Sequence, residues 1–217
     1  MTPGTQRSVF VIGDSISVHY GPYLESALEG TCTYDRKGGS AEALANLDVP
    51  CGSNGGDSAM VLEYVTEQLA TADFRPDLML INAGLHDIKR AEAQAPPFID
   101  LTAYSENLRQ IVRALKSREI KAVWMRTTPC RDDIHNEKNH PGFFRFERDL
   151  DSYNDAADSV MQELAVPVID LHRFTMSLED DPRGLFCDHV HFHHPVRARQ
   201  GAFLAGWITA YFSGDRP

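Results

Sequence analysis

The feature of this sequence that most constrains its fold is a series of short apolar runs separated by amphipathic segments. The runs cover residues 8–12, 31–34, 77–82, 121–127 and 166–171. Runs of this length bounded by polar residues are typical of strands buried on both faces. Between them, apolar residues recur at helical spacing, as in Leu101, Tyr104, Leu108, Ile111, Val112 and Leu115, or Leu150, Tyr153, Ala157, Val160, Met161 and Leu164. Strand alternating with helix predicts a parallel α/β sheet of about five strands.

The end of the chain carries the signals of one more helix. Pro195 stands where a helix would begin, and Gly214 stands where it would end. Between them an apolar stripe runs through Val196, Phe203, Leu204, Trp207, Ile208 and Tyr211. We expect this helix to cover the sheet. The sequence contains no internal repeat and no interdomain linker, so it predicts a single domain over residues 1–217.

Composition excludes some classes of function. The formal net charge is −10 and no basic run is present, so nucleic-acid binding is not expected. The N-terminus has no apolar signal region and no stretch is long enough to span a bilayer, which predicts a cytoplasmic protein without a membrane partner. Cys32, Cys51, Cys130 and Cys187 form no C-x-x-C pair, so we expect reduced thiols and neither a zinc ribbon nor a redox motif.

A serine follows the first predicted strand. Gly13-Asp14-Ser15 leads from that strand into a helical pattern. A serine on such a turn presents its hydroxyl at the carboxyl edge of the sheet, beside helix N–H groups that favour developing negative charge. The same position also suits a simple helix N-cap. Ser15 is therefore a candidate nucleophile that needs a base.

The base is sought between the last strand and the last helix. Asp188 and His191 lie three residues apart in one loop, so the carboxylate can meet the imidazole and leave its other nitrogen for Ser15. Two alternatives stay open. The loop can be a solvated histidine-rich segment, which includes His193 and His194, or a metal site formed by His189, His191 and His193.

Together these motifs resemble those of the SGNH hydrolases, a branch of the GDSL lipases and esterases. The resemblance extends from Ser8 to about Tyr211. It implies a three-layer α/β/α, flavodoxin-like fold and a serine esterase that needs no cofactor and no metal. The residues that carry it are Gly13-Asp14-Ser15, Gly55-Gly56-Asp57-Ser58, Gly84-Leu85-His86-Asp87 and Asp188-His189-Val190-His191.

The resemblance also implies an oxyanion hole. The backbone N–H groups of Ser15 and Gly56 are its expected donors, with Gly55 as the next choice. The family pattern has Asn as the third donor, but this chain has His86, which can donate an N–H with a different reach and pH response. Alternatively, His86 binds a loop carbonyl while Asn54 or Asn82 donates. Asp87 is expected to hold its loop, and His189 stands where the family often has Gly.

The expected function is hydrolysis of a carboxylic ester, short-chain or acetyl, through an acyl-serine formed by Ser15. An acyltransferase, or a weakly catalytic module that binds a glycan or acyl group, is the alternative. Two long connections, 89–98 and 129–146, are candidate substrate loops. The expected partner is a small-molecule or carbohydrate ester. Side chains in or beside these loops suggest a polar or anionic group on it, namely Arg126, Arg131, His135 and His140.

Overall fold

A sheet of five parallel strands forms the centre of the molecule. The computed structural model describes residues 6–137 and 142–214. Across the sheet the strands lie in the order β2-β1-β3-β4-β5, which is the order of a flavodoxin-like doubly wound sheet. This confirms the predicted fold class. The strands are β1 (Arg7–Ile12), β2 (Cys32–Arg36), β3 (Leu78–Ile81), β4 (Lys121–Met125) and β5 (Val168–Ile169).

The fifth strand is much shorter than the apolar run 166–171 predicts. Among the described residues it pairs only with β4, through Val168 and Ile169. The next residue, Asp170, already caps a helix, and its side chain accepts the Arg173 N–H. An edge strand makes ladder hydrogen bonds on one side only, so the capping aspartate ends it early.

Helices cover both faces of the sheet. One layer contains helices α3, α4 and α6, which pack side by side, and the other contains α1, α7 and α8. The apolar stripes predicted over 101–115 and 150–164 face the core, except at Leu101, which is the first residue of its helix and is 41% exposed. The α-helices of the described residues are α1 (Ser15–Leu28), α2 (Ser40–Ala45), α3 (Ser58–Ala70), α4 (Leu101–Ser117), α5 (Asp132–Glu137), α6 (Glu147–Glu163), α7 (Leu171–Met176) and α8 (His194–Ser213), and a short 3₁₀ helix covers Pro182–Leu185.

The last helix lies close to where the sequence places it. Pro195 is in its first turn, and Gly214 ends it with a left-handed φ of 83°. It packs chiefly along α1, and at Gly201 a Cβ atom would lie 2.8 Å from the backbone nitrogen of Leu24. Glycine thus permits the close approach of these two helices. None of the helices within the described ranges is long and apolar enough to cross a membrane.

The two long connections are joined to each other. Arg90 and Phe144 exchange backbone hydrogen bonds of 2.9 and 2.8 Å, and the Arg90 guanidinium pairs with Asp149 at 2.7 Å. The second connection also contains α5. Its residues 138–141, which include His140, lie outside the described residues. Both connections therefore lie beyond the carboxyl ends of β3 and β4.

Candidate active site

Ser15 is the first residue of α1, directly beyond the carboxyl end of β1. The helix cap is Asp14, whose Oδ1 accepts the Ile16 N–H at 2.9 Å. Ser15 is therefore free of the capping role, and its own N–H stands in the first turn, where no intrahelical acceptor exists. Only 3% of Ser15 is exposed. Both its hydroxyl and its N–H are available for chemistry at this edge.

A tight turn brings Asp188 and His191 together. Asp188 Oδ1 accepts the N–H groups of Val190 at 2.8 Å and of His191 at 2.7 Å. Phe186 and Phe192 form an isolated antiparallel bridge that closes the turn. Because one carboxylate oxygen is bound by the backbone, the other is held towards the imidazole.

The three side chains form a continuous hydrogen-bonded relay. His191 Nδ1 donates to Asp188 Oδ2 at 2.7 Å, and Ser15 Oγ donates to His191 Nε2 at 2.8 Å. Burial alone would raise the pKa of the Asp188 carboxyl, but its bonds to His191 and to backbone N–H groups hold that pKa well below its usual range. The carboxylate thus stays ionised beside a base that faces a hydroxyl, an arrangement that can activate a serine.

The arrangement also bears on the metal alternative. Both ring nitrogens of His191 are engaged, one by Ser15 and one by Asp188. His189 Nε2 lies 3.8 Å from Asp48 Oδ1. Across the described ranges 6–137 and 142–214, no three His, Cys, Asp or Glu side chains are grouped to hold a metal ion.

Gly56 occupies the turn before α3. Its φ is +76°, and a Cβ atom there would lie 2.5 Å from Met60 Sδ, so the position requires glycine. Its N–H donates to Asn54 Oδ1 at 3.0 Å. The N–H of Gly55 donates to the Gly13 carbonyl at 2.8 Å. The N–H of Gly55 is therefore bound by the backbone. The N–H of Gly56 is bound by a side chain, and a ligand could share this hydrogen bond.

His86 lies against the same turn and is 3% exposed. Its Nε2 is 3.5 Å from Asn54 Nδ2. Burial, followed by the positive charges of Lys89 and Arg145, lowers the pKa of His86 well below its ordinary value, so the ring is neutral. Asn82 cannot serve instead, because its amide donates to Met125 O at 2.9 Å and to Thr127 Oγ1 at 3.0 Å.

Asp87 joins the His86 loop to α3. Its Oδ1 accepts the Ser58 N–H at 2.9 Å, which ties the first residue of α3 to the loop. The side chain is fully buried, and burial raises the pKa of the carboxyl to about 7. These contacts are those of a residue that holds its loop, as the sequence predicts for Asp87.

The residues expected to recognise a polar substrate group are largely engaged elsewhere. Arg126 pairs with Asp155 at 3.2 Å, and Arg131 pairs with Asp133 at 2.6 Å, both at the surface. His135 is buried, with its Nε2 3.0 Å from the Phe143 carbonyl. His140 is outside the described residues.

Two other cations approach the site. Lys89 and Arg145 are 6% and 2% exposed, and both pack on the Phe143 ring, 4.1 and 4.8 Å from its centroid. Arg145 Nε donates to the Leu85 carbonyl at 2.7 Å, next to His86. Neither residue was predicted from the sequence as part of the site. Arg145 lies in the run Phe143-Phe144-Arg145-Phe146, and aromatic neighbours of this kind are the one local hint that its stem is buried.

Comparison with known proteins identifies the family of the chain. The model of the GDSL-like Lipase/Acylhydrolase family matches residues 11–195. A search of curated proteins found no significant match. The lipase/acylhydrolase from Enterococcus faecalis is a similar solved structure, with 16% identity, a TM-score of 0.70 and coverage of 94% of this chain and 96% of its own.

Two esterase structures also share the fold. EstA, a psychrotrophic esterase from Pseudoalteromonas sp., has 13% identity and a TM-score of 0.61, covering 94% of this chain and 98% of its own. Est24, a carbohydrate acetylesterase from Sinorhizobium meliloti, has 14% identity and a TM-score of 0.62, covering 95% and 100%. These likenesses establish the fold, and the family model covers most of the chain. The chain has the three-layer, flavodoxin-like α/β fold and belongs to the GDSL-like lipase/acylhydrolase family.

Proposed function

We propose that this protein hydrolyses a short-chain or acetyl carboxylic ester through an acyl-serine on Ser15. The observation that carries the proposal is the relay from Ser15 Oγ through His191 to Asp188, with hydrogen bonds of 2.8 and 2.7 Å. A serine hydroxyl is a poor nucleophile at its ordinary pKa, and a neighbouring base removes this barrier. The family supports a hydrolase independently.

The reaction has two halves. Ser15 Oγ attacks the ester carbonyl carbon while its proton passes to His191 Nε2. The carbon–oxygen bond to the alcohol then breaks, and the leaving alcohol takes that proton. A water molecule next attacks the acyl-serine, gives a proton to His191, and releases the acid while the proton returns to Ser15. Asp188 stabilises the imidazolium that forms in each half.

The tetrahedral intermediate carries a negative charge that needs donors. The Ser15 N–H has no intrahelical acceptor. The Gly56 N–H is available by sharing its hydrogen bond with Asn54, and the neutral His86 ring has one N–H. Preorganised donors of this kind lower the barrier by about 3 kcal/mol each. We therefore assign Ser15, Gly56 and His86 to the oxyanion hole.

The surroundings favour a polar substrate over a long acyl chain. The His19 and His189 rings lie 5.1 and 6.3 Å from the His191 ring, and the buried cations Lys89 and Arg145 flank the His86 loop. Arg145 Nη1 is buried and has no hydrogen-bond partner among the described residues, and the Asp48 carboxylate lies 3.9 Å from it. Imidazole and cationic groups suit hydroxyl, acyl-oxygen or carboxylate groups better than methylene chains. A carbohydrate or other hydroxylated ester fits this chemistry.

Turnover of 4-nitrophenyl acetate by wild type and Ser15→Ala tests the proposal. The variant should lose at least about 10³-fold in kcat, because removing a triad member abolishes covalent catalysis. Ser26→Ala, an exposed serine on the same helix, is the matched control and should keep wild-type turnover. Undiminished hydrolysis by Ser15→Ala would refute the assignment. No turnover by wild type, on esters of increasing acyl length, would favour a binding module.

A further inference from the structure

The side chain of Asn54 lies between the two oxyanion donors that do not belong to Ser15. Its Oδ1 accepts the Gly56 N–H at 3.0 Å, and its Nδ2 faces His86 Nε2 at 3.5 Å. Asn54 is completely buried. A single amide thus contacts both the glycine turn and the histidine that stands in place of the family's asparagine.

The orientation of this amide is determined by its neighbours. A backbone N–H can only donate, so the atom facing Gly56 must be the amide oxygen. The opposite atom, Nδ2, also donates to the Leu47 carbonyl at 3.3 Å. With the Leu47 carbonyl accepting from Nδ2 and the Gly56 N–H donating to Oδ1, the amide has one consistent orientation. A rotated amide would set N–H against N–H at Gly56.

This orientation fixes the tautomer of His86. Nδ2 has no lone pair available for acceptance, so the His86 Nε2 opposite it must be the unprotonated nitrogen. The ring is neutral because burial lowers the pKa of His86 well below its usual value. Its one proton is therefore on Nδ1. No hydrogen bond within the described residues involves Nδ1, and it is not one of the fully buried atoms left without a partner.

We propose that Asn54 is a positioning residue that holds His86 in its Nδ1–H tautomer, so that Nδ1 and the Gly56 N–H are presented together to the substrate oxygen. The catalytic role of Asn54 rests on the proposed esterase function, whereas the tautomer of His86 does not depend on it. His86 stands where the family pattern has asparagine, and the Asn54 side chain, two residues before Gly56, orients it. In this proposal the His86 ring supplies the oxyanion N–H, and Asn54 determines which ring nitrogen carries that proton.

The test is ¹⁵N NMR of protein labelled in histidine, with the His86 signals assigned by their absence in His86→Asn. Wild type should show a protonated Nδ1 and an unprotonated Nε2 at pH 7. Asn54→Asp keeps the shape and the acceptor for Gly56 but replaces Nδ2 by an oxygen. It should move the His86 proton to Nε2 or give a doubly protonated ring. An Nε2–H tautomer in wild type would overturn the proposal.

Kinetics give a second readout. Asn54→Asp should lower kcat about 100-fold, the loss typical of removing one oxyanion donor, while KM changes less than about twofold. Its pH profile should change as well, because His86 would then titrate. Asn82→Asp introduces a buried carboxylate at the same end of the sheet and is the matched control, and it should leave the His86 tautomer unchanged. An altered tautomer in this control would refute a specific role for Asn54.

The two proposals fail in different ways. If wild type shows the Nδ1–H tautomer but hydrolyses no ester, the esterase assignment fails and the role of Asn54 in placing the proton stands. If wild type hydrolyses esters through Ser15 but His86 carries its proton on Nε2, the role of Asn54 fails and the esterase assignment stands.

Discussion

His191 Nε2 lies 2.8 Å from Ser15 Oγ, although 176 residues separate them in sequence. The first of these residues follows the first strand, and the second lies in the turn before the last helix. Because parallel strands all end at one edge of the sheet, the loops that follow them converge there. The topology therefore joins a nucleophile at one end of the chain to a base at the other.

Asp188→Asn tests the orientation of the base. The amide would still contact Nδ1, but it would favour the tautomer with the proton on Nε2, which cannot accept the Ser15 proton. We expect kcat to fall by about 10³- to 10⁴-fold with little change in KM. Steady-state kinetics on 4-nitrophenyl acetate measures this effect. A loss of less than tenfold would show that Asp188 does not orient His191.

His86→Ala and His86→Asn test the third oxyanion donor. Removing the ring should lower kcat by about 10²- to 10³-fold and leave KM nearly unchanged, because the lost interaction exists mainly in the transition state. His86→Asn should recover part of this loss, since an amide N–H can donate from a similar position. Equal kcat in wild type and both variants would remove His86 from the mechanism.

Asp87→Asn tests a pH dependence of stability. Burial in the folded protein raises the pKa of Asp87 from its ordinary value to about 7. The carboxyl therefore contributes stability that is fully present below the ordinary pKa and is lost as the pH rises through about 7. The asparagine cannot titrate. We therefore expect the free energy of unfolding to fall less between pH 4.5 and 8 in the variant than in wild type.

Urea unfolding at several pH values measures that difference. Asp73→Asn removes an exposed carboxylate and is the control for the change in net charge. The slope of stability with pH in this control should match that of wild type. If the Asp87→Asn slope also matches wild type, the buried carboxyl does not titrate in this range.

Lys89→Met tests the polar character of the substrate site. Lys89 Nζ donates to the Asp48 carbonyl at 2.8 Å, and burial lowers the pKa of the amine to about 7. A substrate carboxylate nearby would favour its protonated form. We expect kcat/KM to fall several-fold for an acetyl ester that bears a carboxylate, and to change little for a neutral acetyl ester. Parallel losses on both substrates would place Lys89 outside substrate recognition.

The sequence predicted the sheet and most helices because its apolar runs and stripes follow the strand and helix periods directly. It placed Ser15, Asp188 and His191 because each stands at a recognisable position of the topology. Asn54 and Arg145 have no periodic signal. Their environments depend on where loops distant in sequence meet, and Asn54 entered the prediction only as an alternative donor.

The early end of β5 and the packing of α8 could not be predicted either, because neither follows from the local apolar pattern. The apolar run 166–171 fits a longer strand, but capping by Asp170 takes precedence at a sheet edge. The apolar stripe of α8 identifies a buried face without specifying its neighbour. The close approach at Gly201 to α1 is a tertiary contact that no local pattern encodes.

Ser15 is proposed to be an activated nucleophile, and labelling with a fluorophosphonate is the direct test of that reactivity. Ser15 Oγ would displace fluoride from phosphorus and form one covalent phosphonyl ester. We predict one adduct per chain in wild type, located by peptide mass spectrometry on Ser15, and none in Ser15→Ala or in denatured protein. A native protein that remains unlabelled, or that carries its adduct on another residue, would contradict the account.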